Sequence, residues 1–276
     1  MDGLAQCAHY PREIDPTVET GKMLDIKFEP LPSLPRGGDL PNEDGIPMDS
    51  EIHREQASKY LIEPLKRWLR EQKIEAFVGG NSFVYFPPSA SVTKTVRTKP
   101  KRLGPDVYVV MGGQSRGQKK WVVWEESGLY PTLAIELLSP STEAKDRGSK
   151  FVIYRDQWKM PDYFLFESDS ATLEGFCLRR KNYLSTQADQ QGLHSCSSIP
   201  LKLGIRDGWV RWFSLDGQVL PTDQELAEQE RQRAEQEHQR AEQEHQRAEQ
   251  EHQLAAQEKA RADRLAVRLR ELGIEE

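Results

Sequence analysis

The sequence contains only three cysteines, Cys7, Cys177 and Cys196, in 276 residues. Their number is odd and their spacing fits no metal-ligand pattern, so neither a disulfide framework nor a zinc site is predicted. No apolar run approaches the ~20 residues that a membrane-spanning helix needs. The first ten residues also lack the basic and apolar regions of a signal peptide. We therefore expect a reduced, cytoplasmic protein that does not enter a membrane.

An excess of positive charge is missing as well, because the formal net charge is −6. DNA affinity draws mainly on phosphate neutralisation by Lys and Arg, so this charge disfavours a protein that coats nucleic acid along its whole length. Many of the acids, however, lie in the C-terminal tail, whereas Lys99, Lys101 and Arg102 belong to a basic strip just before residue 106. This strip either binds a phosphate backbone or is a solvated basic loop.

Three segments of different composition divide the chain. Residues 1–39 are rich in Pro and Gly, which predicts a poorly ordered segment. Residues 40–221 carry the mixed helix and strand patterns of one α/β domain. Residues 222–276 contain the heptad R-A-E-Q-E-H-Q, which predicts a long helix. Because alanine occupies the small position of its seam, only weak homodimerisation is expected, through Leu265 and Leu272 near the tip.

Local patterns predict the elements of the central domain. A helix is expected over 50–72, and strands over 74–78 and 82–86 should form a hairpin around Gly79 and Gly80. Another strand is expected over 121–125, and a second glycine turn at Gly204. The segment 133–167 reads as a strand, a helix and a strand, which predicts a parallel pair joined by a crossover.

Two acids stand out because of the strands that carry them. Asp106 directly follows Pro105 and opens the strand V-Y-V-V, whereas Glu136 lies in the middle of L-A-I-E-L-L. A carboxylate among such apolar neighbours needs a partner, a cation or a proton. If the two strands are neighbours, the acids converge and suit a hard cation such as Mg²⁺. The alternative is that Asp106 caps a turn and Glu136 forms a buried salt bridge with Lys150.

Several motifs occur in a characteristic order: G-P-D-V at 104–107, I-E-L-L-S-P-S-T at 135–142, D-x-x-x-K-x-x-x-Y at 146–154 and P-D-Y-F-L-F at 161–166. Together they resemble the Uma-two family of restriction-endonuclease-like proteins, a branch of the PD-(D/E)XK nuclease superfamily, over residues 40 to 215. The resemblance implies an α/β fold with a mixed central sheet flanked by helices. It also implies a Mg²⁺-dependent endonuclease acting on DNA, with Mn²⁺ as a possible substitute. Asp106, Glu136 and the carbonyl of Leu137 would bind the metal.

The chain departs from the superfamily pattern at position 138, where Leu stands in place of the usual lysine. Lys150 is predicted to replace it from the polar face of the following helix, on one stripe with Asp146 and Tyr154. Lys145 and Lys159 are nearby alternatives. Further acids that could assist a metal are Glu51, Glu55, Glu63, Glu125 and Glu126. Without a replacement lysine, the domain would be an inactive nuclease fold that binds nucleic acid or protein and assembles through its C-terminal helix.

Overall fold

A computed structural model describes residues 34–41, 55–88 and 100–271. The start of the predicted helix at Ser50, the basic residue Lys99, the acid Glu51 and the leucine Leu272 lie outside the described residues. The chain divides into two compact units, one ending at Thr222 and the other beginning at Asp223.

The described residues include twelve strands and three longer helices. The strands are β1 (Ala76–Gly80), β2 (Val84–Phe86), β3 (Lys101–Leu103), β4 (Val107–Met111), β5 (Trp121–Val122), β6 (Leu133–Leu138), β7 (Asp162–Glu167), β8 (Thr172–Arg179), β9 (Asn182–Ser185), β10 (His194–Ser195), β11 (Lys202–Arg206) and β12 (Trp209–Phe213). Helix α1 consists of a π-helical segment, Gln56–Ile62, followed by an α-helical segment, Glu63–Glu71. Helix α2 runs from Glu143 to Trp158 and alternates between α-helical and π-helical turns. Helix α3 is Asp223–Glu271.

The main sheet has six strands in the order β1-β4-β6-β7-β8-β9. Neighbouring strands are antiparallel except β6 and β7, which are parallel and joined through α2. The predicted crossover is therefore confirmed. Two smaller sheets, β3-β2-β5 and β10-β11-β12, complete the domain, and the predicted mixed α/β class is correct.

Alternation along β6 assigns its side chains to two cores. Leu133, Ile135 and Leu137 pack in one apolar cluster that includes the buried face of α1. Ala134 and Leu138 belong to the other cluster, which includes the buried face of α2. Since successive strand residues point to opposite faces, Glu136 lies on the α2 side of the sheet, as the sequence pattern predicted. The sheet is thus flanked by a helix on each face.

The predicted hairpin around Gly79 and Gly80 is wrong. Both glycines lie inside β1, which pairs with β4, while β2 pairs with β3 and β5. A Cβ atom at Gly79 would overlap the ring of Tyr108, and one at Gly80 would overlap the side chain of Ile62. These glycines therefore allow close packing within the sheet instead of a change of chain direction.

The second predicted glycine turn is also wrong, one predicted strand is shorter than expected, and two short strands were not predicted. Gly204 lies within β11, opposite Arg211 of β12, where a Cβ would overlap Leu193. The strand predicted over 121–125 ends at Val122 and continues as a turn. Short strands β9 and β10 had no alternating pattern long enough to predict them.

The C-terminal helix is present as expected and extends over 49 residues. Its side chains are almost all exposed, including Leu254, Leu265 and Leu269. No helix in the described part of the chain is both long and apolar enough to span a bilayer.

Candidate active site

The two acids singled out in the sequence are adjacent across β4 and β6. The antiparallel register pairs Val107 with Ile135, which brings Asp106 beside Glu136. The Asp106 backbone N–H donates to Glu136 Oε2 at 3.2 Å, and the Leu137 N–H donates to Asp106 Oδ2 at 2.7 Å. Each carboxylate is thus held by a backbone amide of the other strand.

Lys150 brings a cation to these acids from helix α2. Its Nζ lies 2.8 Å from Glu136 Oε2 and 2.8 Å from Asp146 Oδ1, and it donates to the Gly104 carbonyl at 3.3 Å. Lys150 lies on the polar stripe of the helix, as expected, and this stripe faces the sheet, so only 5% of the residue is exposed. The buried salt bridge between Glu136 and Lys150, which the sequence offered as an alternative, is present. Glu136 of β6 and Asp146 of the same helix provide the partners that solvent would otherwise supply. The residues of this stripe lie in the π-helical turns of α2, and π-helical turns are common at functional sites.

Asp146 and Tyr154 complete the cluster from the same helical stripe. The Tyr154 hydroxyl donates to Glu136 Oε1 at 2.7 Å, and both groups are fully buried. Asp146 is also enclosed, and its Oδ2 has no hydrogen-bond partner among the described residues. Although D-x-x-x-K-x-x-x-Y marked this stripe in the sequence, it assigned no function to Asp146 or Tyr154. The structure adds both of them, together with the Gly104 carbonyl.

Three carboxyl groups therefore face a single ammonium group in a largely buried space. Burial raises the pKa of Glu136 to about 8; Lys150 opposes this rise, and the nearby charges of Asp106 and Asp146 add to it. Burial tends to lower the pKa of Lys150, but the same three acids raise it above its ordinary value. The ammonium stays charged because Asp106 and Asp146 still face it when Glu136 carries a proton. Burial, followed by the charge of Glu136, also raises the pKa of Tyr154.

The carboxylates of Asp106 and Glu136 supply part of the ligand set that a hard divalent cation needs. Mg²⁺ commonly takes one or two carboxylates and keeps several waters, and the pair of Asp106 and Glu136 offers that number. Burial, together with the charges of Asp106 and Asp146, raises the pKa of Glu136 in spite of Lys150, so an additional cation beside this carboxyl group would be favourable. Asp106 is partly exposed, whereas Glu136 is enclosed. In the described ranges, no group of three or more His, Cys, Asp or Glu side chains has a metal-binding arrangement.

The other residues considered in the sequence have different surroundings. Lys101 and Arg102 are exposed in β3, and the Arg102 guanidinium lies over the Phe83 ring at 4.5 Å. Lys145 is exposed at the start of α2, and Lys159 is exposed after its end. Four of the further acids have partners outside the cluster. Salt bridges join Glu55 to Lys59, Glu63 to Lys66 and Glu126 to Arg116, and Glu125 accepts a hydrogen bond from the Gly37 N–H.

The fold and this cluster define an α/β domain with acids on neighbouring strands and a lysine on the following helix. The model of the Uma2 family, described as "Putative restriction endonuclease", matches residues 43–209. This match covers more than half of the chain, so the chain belongs to the Uma2 family. The resemblance inferred from the motifs is thereby confirmed.

Two individual proteins are also similar. A segment of 70 residues is 39% identical to "Uncharacterized protein slr1290" from Synechocystis sp. and covers 25% of this chain and 34% of that protein. The chain thus matches about a third of the length of this curated relative. A crystal structure described as a putative nuclease belonging to DUF820, from Anabaena variabilis, aligns with 55% of this chain and 81% of its own, at 14% identity and a TM-score of 0.35. These values are too low for that structure to support an argument about this chain.

Proposed function

We propose that the domain is a metal-dependent endonuclease that hydrolyses phosphodiester bonds in DNA. The observation that supports this most directly is that Glu136 contacts both the Asp106 backbone and the buried Lys150, in a member of the Uma2 family. The family description supports a restriction-endonuclease-like nuclease. The metal requirement, the choice of DNA and the roles of individual residues are our proposals.

In this proposal, Asp106, Glu136 and the Leu137 carbonyl hold Mg²⁺, for which Mn²⁺ substitutes. When bound, the ion would polarise the phosphate and lower the pKa of a bound water. The Leu137 N–H fixes the orientation of Asp106 through its hydrogen bond to Oδ2. Tyr154 similarly fixes one oxygen of Glu136, so both carboxylates are oriented before substrate arrives.

Lys150 would stabilise the negative charge that builds up on the phosphate during the reaction. A lysine at position 138 would share a face of β6 with Glu136, but the residue there is Leu138, which packs in the apolar cluster beside α2. Lys150 reaches the same face of the sheet from α2 and contacts Glu136 directly. Its position is therefore compatible with taking over the charge of the missing strand lysine.

The proposal is tested by following the nicking and linearisation of supercoiled plasmid DNA with Mg²⁺. Asp106→Asn and Lys150→Met should each lower the rate by at least ~100-fold, comparable with the loss of one preorganised stabilising group. Asp207→Asn is a matched control, because Asp207 is exposed in a turn outside the cluster. Chelation by EDTA should abolish cleavage in every variant. Equal metal-dependent cleavage by wild type and by the two cluster variants would refute the assigned site.

A binding module without cleavage is the second candidate, and the enclosure of Glu136 favours it. Both oxygens of this carboxylate already accept hydrogen bonds within the protein, from Tyr154, Lys150 and the Asp106 amide. A relic site of this kind need not retain metal affinity. Calorimetric titration with Mn²⁺ separates the two candidates: heat that disappears in Asp106→Asn supports the nuclease, whereas no heat in the wild type favours the binding module.

We also propose that α3 mediates weak self-association. The exposed leucines Leu265 and Leu269 near its C-terminal end support this, while the alanine seam argues against a tight dimer. Sedimentation velocity over a range of concentrations should show association that Leu265→Glu removes. A concentration-independent monomer would contradict the proposal.

A further inference from the structure

A polar recess lies next to the acidic cluster and has no part in the function described so far. Its volume is about 240 Å³, and its lining includes Asn81, Ser82, Phe83, Arg102, Gly104 and Lys145. Pockets that enclose whole small-molecule ligands usually measure ~300–1,000 Å³. This recess is therefore more suitable for one group of a larger molecule than for a complete small ligand.

Two cations line the recess without a carboxylate partner. Neither Arg102 nor Lys145 forms an ion pair with any acid in the part of the chain that the structure describes, whereas Arg147 and Lys150 of α2 are both paired. Arg102 lies over the ring of buried Phe83, with its guanidinium carbon 4.5 Å from the ring centroid. Stacking of this kind restricts the side chain, so less freedom is lost when the guanidinium binds an anion.

The recess is connected to the acids by backbone contacts. Gly104 lines it, and the carbonyl of the same residue accepts a hydrogen bond from Lys150. On the opposite side, the N–H of Asn81 donates to the backbone carbonyl of Asp106 at 3.2 Å. Two residues of extended chain span at most roughly 7 Å, so the recess begins within that distance of Asp106. One strand of DNA advances ~3.4 Å per phosphate along its axis. Successive phosphates also wind around that axis and lie farther apart than this rise, so the distance corresponds to about one nucleotide.

We infer that this recess is a phosphate subsite for the DNA strand, with Arg102 and Lys145 binding the phosphate about one nucleotide from the bond that is cut. The inference rests on the proposed nuclease function and specifies how the substrate is positioned. The sequence identified Arg102 as part of a basic strip, but Lys145 belongs to a different element and joins it only in the folded chain. Ser82 and the Asn81 side chain supply neutral polar groups at the same recess.

The test measures DNA binding separately from cleavage. Fluorescence anisotropy with a fluorescein-labelled duplex of about 20 base pairs, in EDTA, compares the wild type with Arg102→Gln/Lys145→Gln. The matched control is Arg180→Gln/Lys181→Gln, which removes one Arg and one Lys from an exposed turn between β8 and β9. Both double variants change the net charge equally, so a difference between them reflects position and not overall charge.

We expect the recess variant to bind at least ~10-fold more weakly than the control, with its slope of log K against log salt reduced by about 1, because the two cations together neutralise one phosphate. Equal affinities and equal slopes for the two double variants would overturn the subsite, and so would a wild type that does not bind the duplex. If the wild type binds but does not cleave plasmid with Mg²⁺, the nuclease proposal fails while the binding difference still supports the subsite. If the wild type cleaves and the recess variant keeps its KM, only the subsite fails.

Discussion

Burial of Glu136 should make the stability of the folded domain fall as pH rises through neutrality. The groups that face this carboxyl are Lys150 and Tyr154 from α2, Asp106 from the start of β4, and Asp146 through its charge. Because burial raises the pKa of Glu136 from 4.5 to about 8, the folded protein retains a proton that the unfolded chain loses. Between these values the folded state binds more protons, so each rise in pH destabilises it; above about pH 8 this contribution stops changing.

The size of the effect follows from the two pKa values. At ~1.36 kcal/mol per pH unit, the complete contribution is roughly 5 kcal/mol. Between pH 6.5 and 8.5 the corresponding loss of stability is about 2 kcal/mol. This range avoids the opposite effect of His194, whose pKa is lowered by burial, because that group affects stability only below its ordinary value of 6.5. Lys150 and Tyr154 titrate above the range, since both of their pKa values are raised.

Urea unfolding in EDTA at several pH values measures this effect. Tryptophan fluorescence is a suitable signal, because all six tryptophans precede residue 222 and report on the unit that contains Glu136. Glu136→Gln keeps a neutral side chain of similar shape, so its stability should change little over the same range. A wild type that is equally or more stable at pH 8.5 than at pH 6.5 would refute the argument, as would a variant with the wild-type pH dependence.

Four more variants test the buried ion pair and the close packing of glycine by the same urea measurement. Lys150→Met should destabilise the domain by ~3–5 kcal/mol, because it leaves buried carboxyl groups without their cation. Adding Glu136→Gln to this variant should recover part of the lost stability. A loss below ~1 kcal/mol for Lys150→Met would contradict the buried ion pair. Gly79→Ala should cost ~1–3 kcal/mol through overlap with Tyr108. In contrast, Gly148→Ala, whose Cβ would meet no atom within 4 Å in a helical segment, should be neutral or stabilising by up to ~1 kcal/mol. Equal effects of the two alanines would show that close packing does not explain the glycine in β1.

The central features of the site were predictable because they depend on local periodicity. Alternation in β6 assigned Glu136 to one face, and the four-residue spacing of Asp146, Lys150 and Tyr154 assigned them to one stripe. The crossover rule then made β6 and β7 parallel. No long-range information was needed for these steps, since each follows from the geometry of a single strand or helix and its nearest connection.

The errors arose where a partner distant in sequence decides the role of a residue. Gly79 is compatible with a turn or with close packing, and only Tyr108 on the neighbouring strand distinguishes the two. The spacing of Lys150 assigned it to the polar face of its helix without deciding whether that face is buried, and burial is favourable here because Glu136 of the sheet and Asp146 of the helix pair with it. Asp146 received no role for the same reason, as its burial follows from the packing of α2.

Among the described residues, Asp106, Asp146 and Glu136 act electrostatically on the ammonium of Lys150. Burial, together with the charges of Asp106 and Asp146, raises the pKa of Glu136 in spite of Lys150, so a further positive charge at this carboxyl group is favourable. Asp106 is the partly exposed member, so a further cation from solvent would approach on its side. A site that binds a proton when the metal is absent should release that proton when a metal binds, because both stabilise the same buried negative charge. The pH dependence of stability and the proposed metal dependence of cleavage therefore have one physical origin, which is the burial of Glu136 beside Asp106 and Asp146.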